Sequence, residues 1–320
     1  MTGRSGLLRA LIGVAVSIAF LALTLSRVDL AEVGRDLAAV APAGLLLAIA
    51  LALVELGLRA ARWRLLLTPT ANVPWRSAVQ YLSIGFVANT ILPARLGDVA
   101  RAVLAGRAFG VARMTVFGTI VVERLADGFS ILAIVAILGL GLPSMGTLGT
   151  AASTLVLIAA LGGLVVLATL VVARRVPGRL ALFVRGVMER LVDGAGYLRT
   201  PRGFLIVLGA TLVAFSLAAL EFWVIARATG VDLSWQMAAF GMGSVALSTA
   251  VPAAPGSIGT YEFVGSTVLI ALGVGASQAL AVVLLVHLVI ALTPGAVGLV
   301  SMWRIGFRVG ELSTRAATAE

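Results

Sequence analysis

VPAAPGSIGTYE, running from Val251 to Glu262, holds two prolines, two glycines and a carboxylate. Apolar sequence of about half a bilayer's depth lies on each side of it. A chain that enters lipid and breaks halfway must still satisfy its free backbone N–H and C=O groups. Non-helical backbone at that depth is tolerated only where protein buries it or a wet cavity meets it. The segment therefore reads as a membrane helix broken at a polar site, with Pro252, Pro255, Gly256 and Gly259 as the breaking residues. Discontinuous helices of this kind form binding sites in transporters.

The composition allows only an integral membrane protein. Of 320 residues, 60% are hydrophobic and 12% charged, which excludes a soluble globular chain. Apolar runs occupy 7–25, 41–58, 115–141, 151–173, 203–226 and 276–302, and ~20 residues suffice to cross a bilayer. The first run reads as an uncleaved span, because it lacks an A-x-A site and exceeds a usual signal-peptide core. All 24 basic residues are Arg. With the N-terminus cytoplasmic, all fall on the cytoplasmic side except Arg27, Arg35, Arg227 and the intramembrane Arg124. That placement assigns the basic excess to topology and not to nucleic acid. The chain is expected in the cell inner (plasma) membrane with both termini cytoplasmic. Cysteine is absent, so disulfides are excluded. A single histidine, His287, argues against a zinc or haem site, and no metal or cofactor is expected.

The break at 251–262 has a counterpart. Residues 77–92 form a short apolar run ending in NTILPARLGD, and 98–112 carries Asp98, Arg101 and Arg107. Arginines flank this pair on both sides, so it reads as a hairpin dipping from the cytoplasm. The pair 235–251 and 258–273 would dip from the opposite face. Two ordinary short spans would give the same parity. Leu92-Pro93 with Gly97 parallels Val251-Pro252 with Gly256, and an acid follows each, Asp98 and Glu262. The expected architecture is one all-α polytopic membrane domain, residues 1–320. It has about six full spans plus two re-entrant (or short-span) helical hairpins in two inverted repeats, 1–144 and 148–303. Within the second repeat, 174–202 reads as a basic, partly amphipathic cytoplasmic linker, and 304–320 as a cytoplasmic tail.

The charged groups inside these apolar runs are the candidate site. Asp98 and Arg101 share a helix face at i,i+3. Asn89 and Arg95 lie just before them. A guanidinium forks onto a phosphate through two parallel hydrogen bonds, which suits a phospholipid headgroup. The alternative is an Arg that pairs with Asp98 near the interface. Glu123 and Asp127 share a face at i,i+4, and Arg124 reaches Asp127 at i,i+3. Ionisable groups in lipid must be paired or wet. One acid pairs with Arg124; the other needs a further partner, Arg59 or Arg95. Glu55 and Arg59 form a self-satisfying i,i+4 pair, and Arg62-Trp63-Arg64 looks like an interfacial anchor. Glu221 has no local cation. Glu262 caps the half-helix starting near Ile258 or carries a coupling proton. His287 reads as a residue hydrogen-bonded across helices or as a proton relay.

Four stretches taken together resemble the lysylphosphatidylglycerol synthase transmembrane, or flippase-like, family: RAARWR at 59–64, NTILPARLGDVAR at 89–101, ERLAD at 123–127 and PAAPGSIGTYE at 252–262. The resemblance covers essentially the whole chain. It implies movement of a lipid between leaflets. The sequence given ends at Glu320 without the soluble aminoacyl-transferase domain of two-part relatives, so enzymatic synthesis of lysylphosphatidylglycerol is not expected. No Walker A motif is present, so an ATP-driven pump is not expected either. The resulting reading is a lipid translocase. Asn89, Arg95, Arg101 and Arg124 would bind a phosphate-bearing headgroup. Asp98, Glu123, Asp127 and Glu262 would balance charge or carry a proton, and Pro93, Gly97, Pro252, Pro255, Gly256 and Gly259 would supply the broken-helix backbone. The partners would be membrane lipids, an anionic phospholipid or a lipid-linked glycan, with a second copy or lipid-synthesis enzymes as protein partners. A membrane accessory enzyme for glycosyl or acyl transfer and a non-catalytic scaffold are the alternatives.

Overall fold

The computed structural model describes residues 2–92, 96–140, 189, 193–249 and 254–306, with side chains from residue 13 onward. Among the described residues every regular element is helical. Ten α-helices follow one another: α1 (Thr2–Leu25), α2 (Leu30–Ala38), α3 (Pro42–Leu67), α4 (Trp75–Ile91), α5 (Leu96–Phe109), α6 (Arg113–Leu140), α7 (Pro201–Ala228), α8 (Trp235–Ser248), α9 (Thr260–Ala271) and α10 (Ala276–Arg304). One-turn 3₁₀ segments precede α7 at Gly196–Arg199 and α9 at Pro255–Ser257.

The boundaries follow from local chemistry. Asp29 caps α2, its Oδ1 accepting from Ala31 N at 2.8 Å. Thr200 caps α7 and is followed by Pro201 at the first helical position, where the missing N–H costs no bond. Ser234 caps α8 by accepting from Met237 N at 3.2 Å. Before α9, Gly256 and Gly259 take φ of 72° and 86°. Side-chain-bearing residues adopt such angles only under strain. Their glycines let the chain turn between two half-helices.

α3, α7 and α10 are each long and apolar enough to cross a membrane, and α1 with α2 forms a bent fourth candidate, turned by 85°. The apolar runs at 7–25, 41–58, 115–141, 203–226 and 276–302 fall in α1, α3, α6, α7 and α10. The run at 151–173, most of the linker before residue 193, and the tail from residue 307 lie outside the described residues. α6 is 28 residues long, but carries Glu123, Arg124 and Asp127 in its middle. Both expected hairpins are pairs of short helices, α4 with α5 and α8 with α9.

Packing is interdigitated. α3 lies along α7; α4 packs on α10 and α8 on α6; α5 packs on α6 and α9 on α10. The largest core, around Phe215, Phe222, Phe240 and Leu269, joins α3, α6, α7, α8, α9 and α10. A second, around Trp63, Leu67, Leu82 and Ile120, joins α3 to the first hairpin and α6. Small residues set the closest approaches, as expected where helices associate by packing in lipid. A Cβ on Gly97 would lie 2.2 Å from Gly85 O, so α5 touches α4 backbone to backbone there. Outward-facing Phe129 and Ile137 are 66% and 69% exposed, an apolar surface that water would oppose and lipid accepts.

Candidate functional site

α3 supplies the first wall of the site. Glu55, Arg59 and Arg62 recur at spacings of four and three, so they share one helical face. Arg59 Nε donates to Glu55 Oε1 at 2.7 Å, and its Nη1 stands 3.5 Å from Asp127 Oδ2. Arg62 lies deeper. Its Nη1 donates to Asp127 Oδ1 at 2.6 Å and to Thr211 Oγ1 of α7 at 2.7 Å, and its Nη2 reaches Glu123 Oε1 at 3.4 Å. Arg101 from α5 completes the cluster. Its Nη2 donates to Glu123 Oε2 at 2.5 Å, and its guanidinium lies 3.9 Å above the Trp63 ring. Trp63 Nε1 in turn donates to Thr119 Oγ1 at 3.0 Å.

Arg62 and Trp63 are thus corrected from interfacial anchors to core residues, 1% and 0% exposed. The helix phase explains it. Arg62 follows Arg59 by three residues and turns inward with it, while Arg64 faces the loop and donates to Val73 O at 2.8 Å. Arg62 is the residue that sequence reasoning missed, and the Glu55–Arg59–Arg62 spacing was the signal that marks it.

Arg124 differs from the other arginines. Its Nε stands 3.7 Å from Asp98 Oδ2 and its Nη1 3.9 Å from Asp127 Oδ2. Both distances exceed hydrogen-bond length. Its Nε has no hydrogen-bond partner, yet its side chain is 36% exposed. Asp98 faces Arg124 and accepts from Asn89 Nδ2 at 3.4 Å; its ion pair is with Arg124 and not with Arg101. Between α5 and α6 is a cavity of about 290 Å³ lined by Asp98, Val99, Phe117, Ile120, Val121, Arg124 and Leu125. Its walls are apolar apart from one cation and one anion. Leu125, which lines it, is 55% exposed, so the cavity adjoins the apolar outer surface of α6.

Four arginines (59, 62, 101, 124) thus meet four carboxylates (55, 98, 123, 127). The cluster is formally neutral, which satisfies the requirement that charge inside a membrane be compensated. Glu221 of α7 stands apart, 1% exposed, with neither carboxylate oxygen hydrogen-bonded.

A second polar centre sits at the other hairpin. Glu262 is the third residue of α9, and its Oε2 accepts from Gly259 N at 2.6 Å, a capping contact. Its Oε1 lies 2.5 Å from His287 Nδ1, while His287 Nε2 lies 2.9 Å from Gly256 O. Tyr261 stacks on the imidazole at 4.1 Å. The 3₁₀ turn is tied to α1 by Ala254 N donating to Ser17 Oγ at 2.8 Å. Asp98 is likewise the third residue of α5, and Arg124 and His287 are each the twelfth of α6 and α10. An acid at the start of each hairpin's second helix thus faces a basic group one turn short of the middle of the next long helix.

Of the expected site residues, Asn89, Asp98, Arg101, Glu123, Arg124 and Asp127 come together at the first hairpin, with Gly97 at the α4–α5 contact. Pro255, Gly256, Gly259 and Glu262 come together at the second. Pro93, Arg95 and Pro252 lie outside the described residues.

Long apolar helices around buried, compensated charges define a polytopic helical membrane protein. Residues 10–298 match the family model described as Lysylphosphatidylglycerol synthase TM region, and the chain belongs to that family. No curated protein matches it.

Proposed function

We propose that the protein is a lipid translocase that moves a phosphate-bearing lipid or glycolipid between leaflets. The observation that carries the reading is Arg124, a partly exposed side chain whose buried Nε has no hydrogen-bond partner among the described residues, beside an apolar-walled cavity at the surface of α6. An anionic headgroup competes for Arg124 against pairs of 3.7 and 3.9 Å only, while acyl chains meet Phe117, Ile120 and Leu125. A fork of two charge-assisted hydrogen bonds on phosphate is stronger than either pair. The Arg62–Glu123–Arg101 network behind it holds α3, α5 and α6 in place. Asn89, Arg95 and Arg101 belong to the headgroup end of the reading, with Arg101 acting through Glu123. Asp98, Glu123 and Asp127 balance the arginines.

The reading includes two inverted halves with about six full spans and two hairpins. The reciprocal packing supports it: α4 on α10 with α8 on α6, α5 on α6 with α9 on α10. So do the matched positions of Asp98 with Arg124 and Glu262 with His287. It places the protein in the inner membrane with cytoplasmic termini and linker 174–202 on the inner leaflet. Membrane lipids are its partners, and it does no covalent chemistry.

Reconstitution into liposomes containing a fluorescent anionic phospholipid tests this. The expected result is leaflet exchange without chemical change of the lipid, reduced at least about tenfold by Arg124→Gln at unchanged folded yield. Altered headgroups would make it an enzyme. Neither exchange nor chemistry would leave a scaffold.

A further inference from the structure

His287 is the chain's single histidine. Its Nε2 faces Gly256 O at 2.9 Å. A carbonyl only accepts, so Nε2 carries a hydrogen and donates it. Its Nδ1 faces Glu262 Oε1 at 2.5 Å. Two lone pairs at that separation repel, so a proton lies between them. Either an imidazolium donates to a carboxylate or a carboxylic acid donates to a neutral ring. In both cases the pair holds one proton beyond the Nε2 hydrogen and is neutral overall.

We propose that Glu262 and His287 form a single-proton binding site that latches the break between α8 and α9 onto α10, and that the lipid cycle opens and closes it. When the proton leaves to water, a neutral ring and a carboxylate remain. The ring then keeps its hydrogen on Nε2 and repels Glu262, or moves it to Nδ1 and loses Gly256. One of the two contacts must open. A second proton added to the pair leaves both contacts in place, so the latch is closed on the acid side and open on the alkaline side. This deepens the translocase reading, and only its transport arm rests on that reading.

Among the described residues, the other ionisable groups on the elements around this pair are paired or distant, apart from the buried and unpartnered Glu221 of α7. α8 and residues 13–25 of α1 carry no ionisable side chain. Arg27, beyond the end of α1, lies over the Phe263 ring at 5.6 Å. Tyr261 stacks on His287, and its hydroxyl feels Glu221 of α7 and Glu55 of α3. Arg59 of α3 is held by Glu55, and Arg227 of α7 by Asp232. α4 brings Arg76 in its first turn, at the end remote from its contact with the break. Glu32, Arg35 and Asp36 of α2 belong to the end of α10 near Ser277 and Leu280. Among the described residues the carboxylate of Glu262 has one basic partner, His287.

The break is built to respond. Gly256 and Gly259 sit at positive φ. A Cβ on Gly256 would lie 3.7 Å from Thr90 in the last turn of α4. Opening the latch therefore moves the segment that touches the end of the first hairpin's first helix.

The test uses the full chain in lipid nanodiscs, purified through a histidine-free tag and labelled with ¹⁵N-histidine, which reports one imidazole. Its nitrogen shifts are followed from about pH 5 to about pH 9, the interval in which imidazoles change charge, together with amide exchange over 254–262, taken at each pH relative to the base-catalysed rate of an unstructured chain. The expected result is loss of one proton with an increase in exchange of at least about tenfold in the same interval. Glu262→Gln donates to Nδ1 and accepts from Gly259 without titrating, so its exchange should be flat with pH. His287→Gln should be flat as well. A titration without change in exchange, or a step that survives in both variants, overturns the proposal. In proteoliposomes, dependence of leaflet exchange on a pH gradient should vanish in Glu262→Gln. A working latch with no exchange of lipid under any gradient refutes the translocase reading alone. Exchange of lipid with no latch refutes this inference alone.

Discussion

Arg62→Gln separates the arginine that holds the bundle from the one that faces the cavity. Arg62 is 1% exposed and has three partners, Asp127 at 2.6 Å, Thr211 at 2.7 Å and Glu123 at 3.4 Å. Thr211 keeps its own bond to Val207 O at 2.8 Å, and Glu123 keeps Arg101 at 2.5 Å. Asp127 is the casualty. It is left with Arg59 at 3.5 Å and Arg124 at 3.9 Å, neither within good hydrogen-bond geometry. Breaking a buried pair from one side costs about 3–5 kcal/mol, because a desolvated charge loses its compensation. Arg124→Gln breaks no hydrogen bond among the described residues and removes two contacts of 3.7 and 3.9 Å from a side chain that is 36% exposed, so it disturbs less of the bundle. Equilibrium unfolding in mixed micelles should therefore rank Arg62→Gln well above Arg124→Gln in stability lost. Lipid exchange per folded molecule should rank them in the opposite order. Asp127→Asn combined with Arg62→Gln should cost less than the sum of the two, by about 0.5–3 kcal/mol, since contacting residues couple. Equal losses from the two arginine variants, or strict additivity with Asp127→Asn, would refute the division of roles.

Two further outcomes follow from the packing. Gly97→Ala places a Cβ 2.2 Å from Gly85 O and 2.5 Å from Asn89 Oδ1, so it should sharply lower folded yield, whereas Gly128→Ala meets nothing within 4 Å and should be neutral; similar yields by fluorescence-detected size exclusion would count against the close α4–α5 contact. The cysteine-free chain allows clean labelling at Ile91→Cys and Ile258→Cys, which are 47% and 55% exposed, unlike the buried Ser83 and Thr260. Re-entrant hairpins should shield Ile91→Cys from an impermeant reagent on the outer face and Ile258→Cys from one on the cytoplasmic face. Rapid labelling from those faces would make the hairpins ordinary spans.

The breaks were legible because proline and glycine act locally. The half-helix expected near Ile258 starts at Thr260. The i,i+4 pair of Glu55 with Arg59 was equally readable, since both ends sit on one helix. Arg62 was misplaced because an Arg-Trp-Arg triplet has the chemistry of a membrane interface, and that chemistry says nothing about helix phase. Arg101–Glu123 and Arg62–Asp127 join residues 22 and 65 positions apart. Which acid each arginine meets depends on how closely α3, α5 and α6 approach, and that is set by packing across helices. Asp98 illustrates the limit. Its spacing to Arg101 suggested a pair on one face, but Arg101 turns to Glu123 and Trp63, leaving Asp98 to Arg124 and Asn89.

The two acid–base pairs also differ in a way that bears on mechanism. A guanidinium keeps its charge at any accessible pH, whereas an imidazole changes charge near neutrality. Arg124 therefore offers a constant positive charge beside a cavity, with pairs loose enough for an anion to compete. His287 sits in a tight contact that holds backbone at Gly256 as well as the Glu262 carboxylate. On the proposed reading, equivalent helical positions carry a permanent cation beside the cavity at one hairpin and an imidazole at the break of the other. A pair of arginines would bind at both hairpins and report nothing about pH, and a pair of histidines would lose the headgroup contact as the membrane's alkaline face was sampled. On that proposed reading, the division would let one hairpin keep hold of a lipid while the protonation state of the other decides whether the break, whose Gly256 lies beside Thr90, is closed.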